Sequence, residues 1–152
     1  MNEDFTKRDD IVGIARSWIG TPYRHQASVR GSGADCLGLV RGVWRTLYGR
    51  EPETVPDYTA DWSEAGQHER LWCAAGRNLR QRAAADDFRN GDVLLFRMRA
   101  DRIAKHVAIA ASRGRTWTFI HAYSGHGVIE SCLTDPWRRK IVAAFEFPEG
   151  GE

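Results

Sequence analysis

Gly33-Ala34-Asp35-Cys36-Leu37-Gly38-Leu39-Val40 is the stretch on which the reading of this chain turns. A flexible Gly31-Ser32-Gly33 segment runs into an aspartate able to cap a helix, and a cysteine follows at once. Leu37, Val40, Val43, Trp44 and Leu47 then recur at helical spacing up to Gly49, predicting a helix over 35–48 with Cys36 in its first turn. The positive end of a helix dipole and its unpaired amides favour thiolate over thiol, and thiolate is the nucleophile. Far downstream, two histidines sit inside apolar, strand-like runs, Lys105-His106-Val107-Ala108-Ile109 and Phe119-Ile120-His121-Ala122. A helix-borne thiol with strand-borne imidazoles is the layout of a cysteine hydrolase, the imidazole taking the thiol proton and later returning it to a leaving amine.

Working outward, an N-terminal helix is expected from Asp9 or Asp10, carrying Ile11, Ile14, Ala15 and Trp18 and ended by Gly20 and Thr21-Pro22. Residues 23–34 read as a loop, and so do 51–66. A third helix is expected over 68–85, broken or kinked near Gly76. After the Asn90-Gly91-Asp92 turn signal, strands are expected over 93–96, 103–111, 117–122, 128–132 and 141–147, with turns at 112–116 and 124–127. Helices first and hairpin-linked strands later predict an α+β fold, with N-terminal helices packed on one antiparallel sheet of about five strands.

The strand alternation places Ala104, His106, Ala108 and Ala110 on one face, where small residues would admit a closely packed helix. The cysteine helix, with Gly38 and Gly42 four apart, is the natural candidate. Trp117, Phe119 and His121 share a face of the neighbouring strand. If the two faces coincide, His121 can orient His106 as third member of a triad. Cys73 and Cys132 lack a turn-to-helix setting and read as structural. His68 reads as solvated in a polar helix, and His126 as a surface turn residue. Zinc held by Cys36, His106 and His121 is chemically feasible, but the paired spacing of metal motifs is missing, and neither metal nor organic cofactor is expected. Trp62, Trp72 and Trp137 are candidates to dock a partner, with core packing the better reading for each.

The 152 residues suit one domain with a real core, and a composition of 42% hydrophobic and 28% charged residues is that of a globular protein. A net charge of +2 sets up no field demanding nucleic acid, and Arg138-Arg139-Lys140 reads as solvated surface. No apolar run approaches membrane-spanning length, so no membrane insertion is expected. The polar start lacks a signal-peptide core, which predicts synthesis in the cytoplasm. Three cysteines without regular spacing argue for a reducing compartment rather than a disulfide framework. The domain is expected to occupy 1–152, with flexible ends at 1–8 and 148–152.

Three blocks, in order, resemble the NlpC-type (NlpC/p60) cysteine peptidases, papain-like enzymes that hydrolyse bacterial cell-wall peptides. They are Trp18-Ile19-Gly20-Thr21-Pro22-Tyr23 leading into Ala34–Val40; Asn90-Gly91-Asp92-Val93-Leu94-Leu95-Phe96 leading to His106–Ile109; and Phe119-Ile120-His121-Ala122 followed by Gly127-Val128-Ile129-Glu130. The resemblance implies Cys36 as nucleophile, His106 as general base and acid, His121 as its orienting partner, and Tyr23 beside the nucleophile, donating to the oxyanion with the Cys36 amide. It also implies Asp35 and His25 as substrate-binding residues, peptidoglycan stem peptides as substrate, and the γ-D-glutamyl–diaminopimelate bond as target. Two departures touch substrate detail: Leu37 stands where serine is common, and His25-Gln26 replaces a usual glycine pair. Thr21-Pro22-Tyr23-Arg24-His25-Gln26 with Asp35-Cys36-Leu37-Gly38-Leu39-Val40-Arg41 is similar to the subgroup encoded with phage tails and gene transfer particles. That implies phage-like tail proteins as partners and delivery to the recipient wall by the particle. The competing expectations are an idle structural module of such a tail, and a related amidase or acyltransferase on another substrate.

Overall fold

The computed structural model describes residues 3–53, 70–99 and 104–148. Its elements, in order, are α1 (Glu3–Arg16), β1 (Ser28–Val29), β2 (Gly33–Ala34), α2 (Cys36–Tyr48), α3 (Arg70–Asn78), β3 (Arg80–Gln81), β4 (Val93–Phe96), β5 (His106–Arg113), β6 (Thr116–Tyr123), β7 (Gly127–Cys132), α4 (Asp135–Arg138) and β8 (Ile141–Glu146). The α+β class is as expected, with one main antiparallel sheet in the order β3-β8-β4-β5-β6-β7. That sheet has six strands rather than five, because the short β3 pairs with β8, and a two-stranded β1–β2 hairpin stands apart from it.

Several local expectations are corrected. Helix α1 starts at Glu3, not at Asp9 or Asp10; no glycine or proline in 3–8 interrupts the helix. The segment read as a loop over 23–34 carries the β1–β2 hairpin. Helix α3 ends at Asn78 with no break at Gly76, and β3 occupies part of the span expected to be helix. The four-residue α4 was not foreseen; Pro136 near its start suits a first helical turn. His68, Trp62 and most of the expected 51–66 loop lie outside the described residues.

The two faces of the sheet bury different partners. Val93, Leu95, Val107, Ile109, Ala111, Ile120 and Val128 pack with Ile11, Ala15 and Trp18 of the N-terminal segment and with Leu39 and Val43 of α2. Leu94, Phe96, Ala108, Ala110 and Phe119 face the other way, toward Phe88, Leu133, Trp117 and Trp137. This overturns one expectation. The face of β5 that carries Ala108 and Ala110, and with it His106, is not covered by the cysteine helix; α2 lies against the Val107–Ile109–Ala111 face. The glycines of α2 do permit close approach, but to other groups. A Cβ at Gly38 would stand 1.9 Å from the Ala27 carbonyl oxygen, and one at Gly42 would stand 2.0 Å from the Trp18 ring.

The blocks singled out in the sequence meet in space. Gly20 N–H donates to the Val128 carbonyl at 3.0 Å and Val128 N–H to the Thr21 carbonyl at 2.9 Å, tying the segment before the nucleophile to β7. Gly91, at φ 87°, donates to the Ala110 carbonyl at 2.8 Å. Beside it, the buried Asp92 takes a two-pronged contact from Arg82 at 2.8 and 2.9 Å, which anchors the turn into β4.

Candidate active site

Asp35 caps α2 as the sequence predicts. Its Oδ1 accepts from Gly38 N–H at 2.7 Å and its Oδ2 from Gln26 N–H at 2.7 Å, so one buried carboxylate satisfies a helix amide and a loop amide together. The second bond requires Gln26 to hold φ at 65°, a conformation that glycine adopts freely and other residues seldom do. The backbone that a glycine would favour at this departure is therefore retained. His25 is exposed, with Nδ1 3.9 Å from Asp35 Oδ2.

Cys36 is the first residue of α2, half-buried, and its Sγ–H donates to the Lys105 carbonyl at 3.8 Å. Tyr23 is held beside this turn by a bridge to Ala34, by Arg24 N–H donating to the Ala34 carbonyl and by Ala34 N–H donating to the Pro22 carbonyl. His106 opens β5, and its Nε2 lies 2.9 Å from Nδ1 of His121 on β6. The expected coincidence of the two histidine faces is thus met. His121 is 1% exposed and His106 8%, beneath a cover of aromatic rings: Phe119 stands 4.2 Å from the His121 ring, and Trp137 of α4 stands 5.6 Å from His121 and 6.1 Å from His106.

Cys36 and His106 line one cavity because the site lies at the rim of the sheet, where β5 begins and β6 ends. A cavity of about 170 Å³ there is lined from the helix side by Cys36, Leu37 and Ala122, and from the other side by Met98, His106 and Tyr123. Tyr23, His25, Asp35, Leu71, Lys105 and Ser124 complete its wall. The structure thus gathers all the sequence-derived site residues except His121 around one cavity, with His121 directly behind His106.

Electrostatics revise one expectation. Burial, then the Asp35 carboxylate, push the Cys36 thiol up to about 12; amides of Val107, Leu37 and Cys36 itself oppose the shift without reversing it. The helix start alone does not make a resting thiolate. Burial holds His106 down at about 3, with His121 contributing, and His121 at about 4, with His126 contributing. The free site is a neutral thiol beside neutral imidazoles. Burial, with the Asp35 carboxylate contributing, raises Tyr23, keeping its hydroxyl a donor.

Two further residues fall differently from their sequence readings. Cys73 and Cys132, read as structural, are exposed free thiols. His126 is at the surface as expected, its ring stacked on Tyr123 at 5.4 Å. Trp72 is half-buried, and Trp137 packs over the second face of the sheet. Sequence reasoning missed Ser131, whose Oγ lies 3.1 Å from His121 Nε2; its position in β7 opposite Phe119 emerges only from strand register. No group of three or more His, Cys, Asp or Glu side chains is arranged to hold a metal ion among the described residues, and no helix there is long and apolar enough to cross a membrane.

Known proteins are similar to this chain in sequence and fold. The murein DD-endopeptidase/murein LD-carboxypeptidase MepS of Escherichia coli is 29% identical over 130 residues, a match covering 86% of this chain and 57% of the relative, so the chain spans little more than half of that protein's length. The solved NlpC/p60 domain of the peptidoglycan hydrolase SagA is 26% identical, with a TM-score of 0.59 over 92% of this chain and 98% of the other. An NlpC/P60 family protein from Bacillus cereus shares the fold at 19% identity, with a TM-score of 0.61 over 92% of this chain and 40% of its own. The sequence pattern of the NlpC/P60 family matches residues 20–146, most of the chain, and the chain belongs to that family.

Proposed function

We propose that this domain is a cysteine peptidase that hydrolyses amide bonds in peptidoglycan stem peptides. The observation that carries the reading is the convergence of Cys36 and His106 on one cavity, with His121 bonded behind the imidazole. A peptide carbonyl entering the cavity meets the Cys36 sulfur. As the C–S bond forms, the thiol proton passes to His106, and the carbonyl oxygen becomes an oxyanion that accepts from the Cys36 amide and the Tyr23 hydroxyl. A first-turn amide has no acceptor within its own helix, which leaves it available for this task. Collapse of the tetrahedral intermediate breaks the C–N bond, His106 protonates the leaving amine, and a thioester remains. Water, deprotonated by His106, then releases the acid and restores the thiol. Asp35 and His25 supply an anion and an imidazole at the cavity wall for an amine or carboxylate of the substrate.

The target we favour is the γ-D-glutamyl–diaminopimelate bond. The description of the Escherichia coli relative as a DD-endopeptidase and LD-carboxypeptidase supports a second reading, in which the bonds cut are those between stem peptides or at their ends. The similarity of the 21–26 and 35–41 segments to phage-tail enzymes supports manufacture in a bacterial cytoplasm, assembly with phage-like tail proteins and action in the periplasm of a recipient cell.

Purified diaminopimelate-type peptidoglycan, digested with the native chain and with Cys36→Ala and analysed by mass spectrometry, tests this. Fragments released by the native chain alone are expected, and their masses name the bond. No release by either chain, with reductant present, overturns the reading in favour of an idle tail module.

A further inference from the structure

Behind the two histidines lies a third polar group. His106 Nε2 faces His121 Nδ1 at 2.9 Å, and His121 Nε2 faces Ser131 Oγ at 3.1 Å, so three side chains on three consecutive strands of the sheet form one line. Each nitrogen–nitrogen or nitrogen–oxygen contact needs one proton, and the protons must all point the same way along the line. Two arrangements satisfy it. In one, Ser131 donates to His121 Nε2, His121 Nδ1–H donates to His106 Nε2, and His106 carries its proton on Nδ1. In the other, every proton is reversed: His106 Nε2–H donates to His121, and His121 Nε2–H donates to Ser131.

The two differ in what they leave for Cys36. With Nε2 of His106 committed to His121, Nδ1 is the nitrogen left for a thiol proton. Only the second arrangement leaves it with a lone pair. We propose that Ser131 is a positioning residue that accepts the His121 Nε2–H, holds His121 in the Nε2–H tautomer, and thereby keeps His106 Nδ1 basic toward Cys36. Ser131 suits the acceptor role. A hydroxyl offers two lone pairs against one proton, and Ser131 is half-exposed, so its own proton can go to solvent while its oxygen faces inward. The buried histidines have no such freedom: their tautomers are set by the partners at hand. A neutral histidine in third place, in contrast to a carboxylate, has no charge to dictate the proton order, so something beyond it must. The role of Ser131 rests on the reading of His106 as general base given above.

The test uses the full chain labelled with ¹⁵N in its histidines. Long-range ¹⁵N–¹H correlation spectra distinguish the two tautomers of a neutral imidazole directly. At neutral pH, His106 and His121 are both expected as Nε2–H tautomers in the native chain. In Ser131→Ala the preference at His121 is expected to collapse to a mixture and kcat for wall-peptide cleavage to fall about tenfold, the worth of one net hydrogen bond, with KM within about a factor of two. Ser131→Thr, which restores a hydroxyl, is expected to recover both. An Nδ1–H tautomer at His106 in the native chain overturns the proposal without any variant, as does a Ser131→Ala spectrum unchanged at both histidines. Because the spectra need no substrate, they decide the role of Ser131 even if peptidoglycan proves the wrong substrate; that failure would appear in the fragment masses alone.

Discussion

At the scale of single residues, the site is a set of groups kept neutral by burial. His106 and His121 are held near 3 and 4, well below the ordinary value of 6.5. A general base must be neutral, and these imidazoles stay neutral as the pH falls. The acid limb of kcat/KM is therefore expected below pH 6.5; a limb at or above 6.5 would refute the burial argument. The same shifts carry a stability cost in acid. The unfolded chain takes up protons below about pH 6.5 that the folded chain refuses until about 4 or lower, so stability is complete above 6.5 and declines as the pH drops through that window. Melting temperature followed from pH 7 to 4 is expected to fall in the native chain and to fall less in His121→Gln, which removes one of the two refusing groups. The identities of these residues were legible in the sequence: a cysteine after a capping aspartate, and histidines in apolar runs. Their protonation was not. The helix start predicts a stabilised thiolate, whereas burial and the neighbouring Asp35 carboxylate outweigh it.

At the scale of elements, α2 is the piece whose sequence and structure agree most fully, from the Asp35 cap to Gly49 at φ 93°. Asp35→Ala removes the acceptor of two amides and is expected to cost about 1–2 kcal/mol in urea unfolding, with Asp35→Asn retaining most of it. The glycines of the two N-terminal helices separate cleanly. A Cβ at Gly38 would collide with the backbone carbonyl of Ala27, which cannot swing aside, so Gly38→Ala is expected to cost about 3 kcal/mol or more. Gly13 in α1 has nothing within 4 Å of the same position, and Gly13→Ala is expected to stabilise by up to about 1 kcal/mol. Equal losses from both substitutions would undo this distinction. Element ends were the less legible part. Strand β3 and the β1–β2 hairpin are two residues per strand, too short for an alternation to show, and they exist because a neighbouring strand offers them partners.

At the scale of the whole molecule, Glu130 binds the helical layer to the sheet. Its carboxylate on β7 accepts from Arg16 of α1 at 3.1 and 3.0 Å, from Arg113 at the end of β5 at 2.8 Å and from Thr118 of β6 at 2.6 Å. Burial alone would raise this carboxyl, but the bonds from Arg16, Thr118 and Arg113 outweigh it and hold it at about 2. Its contribution is thus present above about pH 4.5 and is lost as the pH falls toward 2. Glu130→Gln is expected to cost about 2 kcal/mol in chemical unfolding, below the roughly 3–5 kcal/mol of a fully buried broken pair because the Arg16 side chain is 31% exposed. A double-mutant cycle with Arg16→Ala is expected to show coupling of about 1 kcal/mol or more; strict additivity would mean that the helix is held by apolar packing alone.

By itself the sequence determined the fold class and the order of the longer elements, and it singled out Cys36, His106 and His121 as the candidates for nucleophile, base and orienting residue. These follow from local signals: caps, periodicity of 3.6 or 2, turn residues, and polar side chains placed where apolar ones belong. Tertiary structure alone decided which face of β5 the cysteine helix covers, and so that the site forms at the rim of the sheet rather than under the helix. It also decided that Ser131 closes the line behind His121, and that the resting thiol keeps its proton. Faces, registers and burial depend on partners distant in the chain. A period-2 pattern says that two faces differ, but only packing says what lies against each.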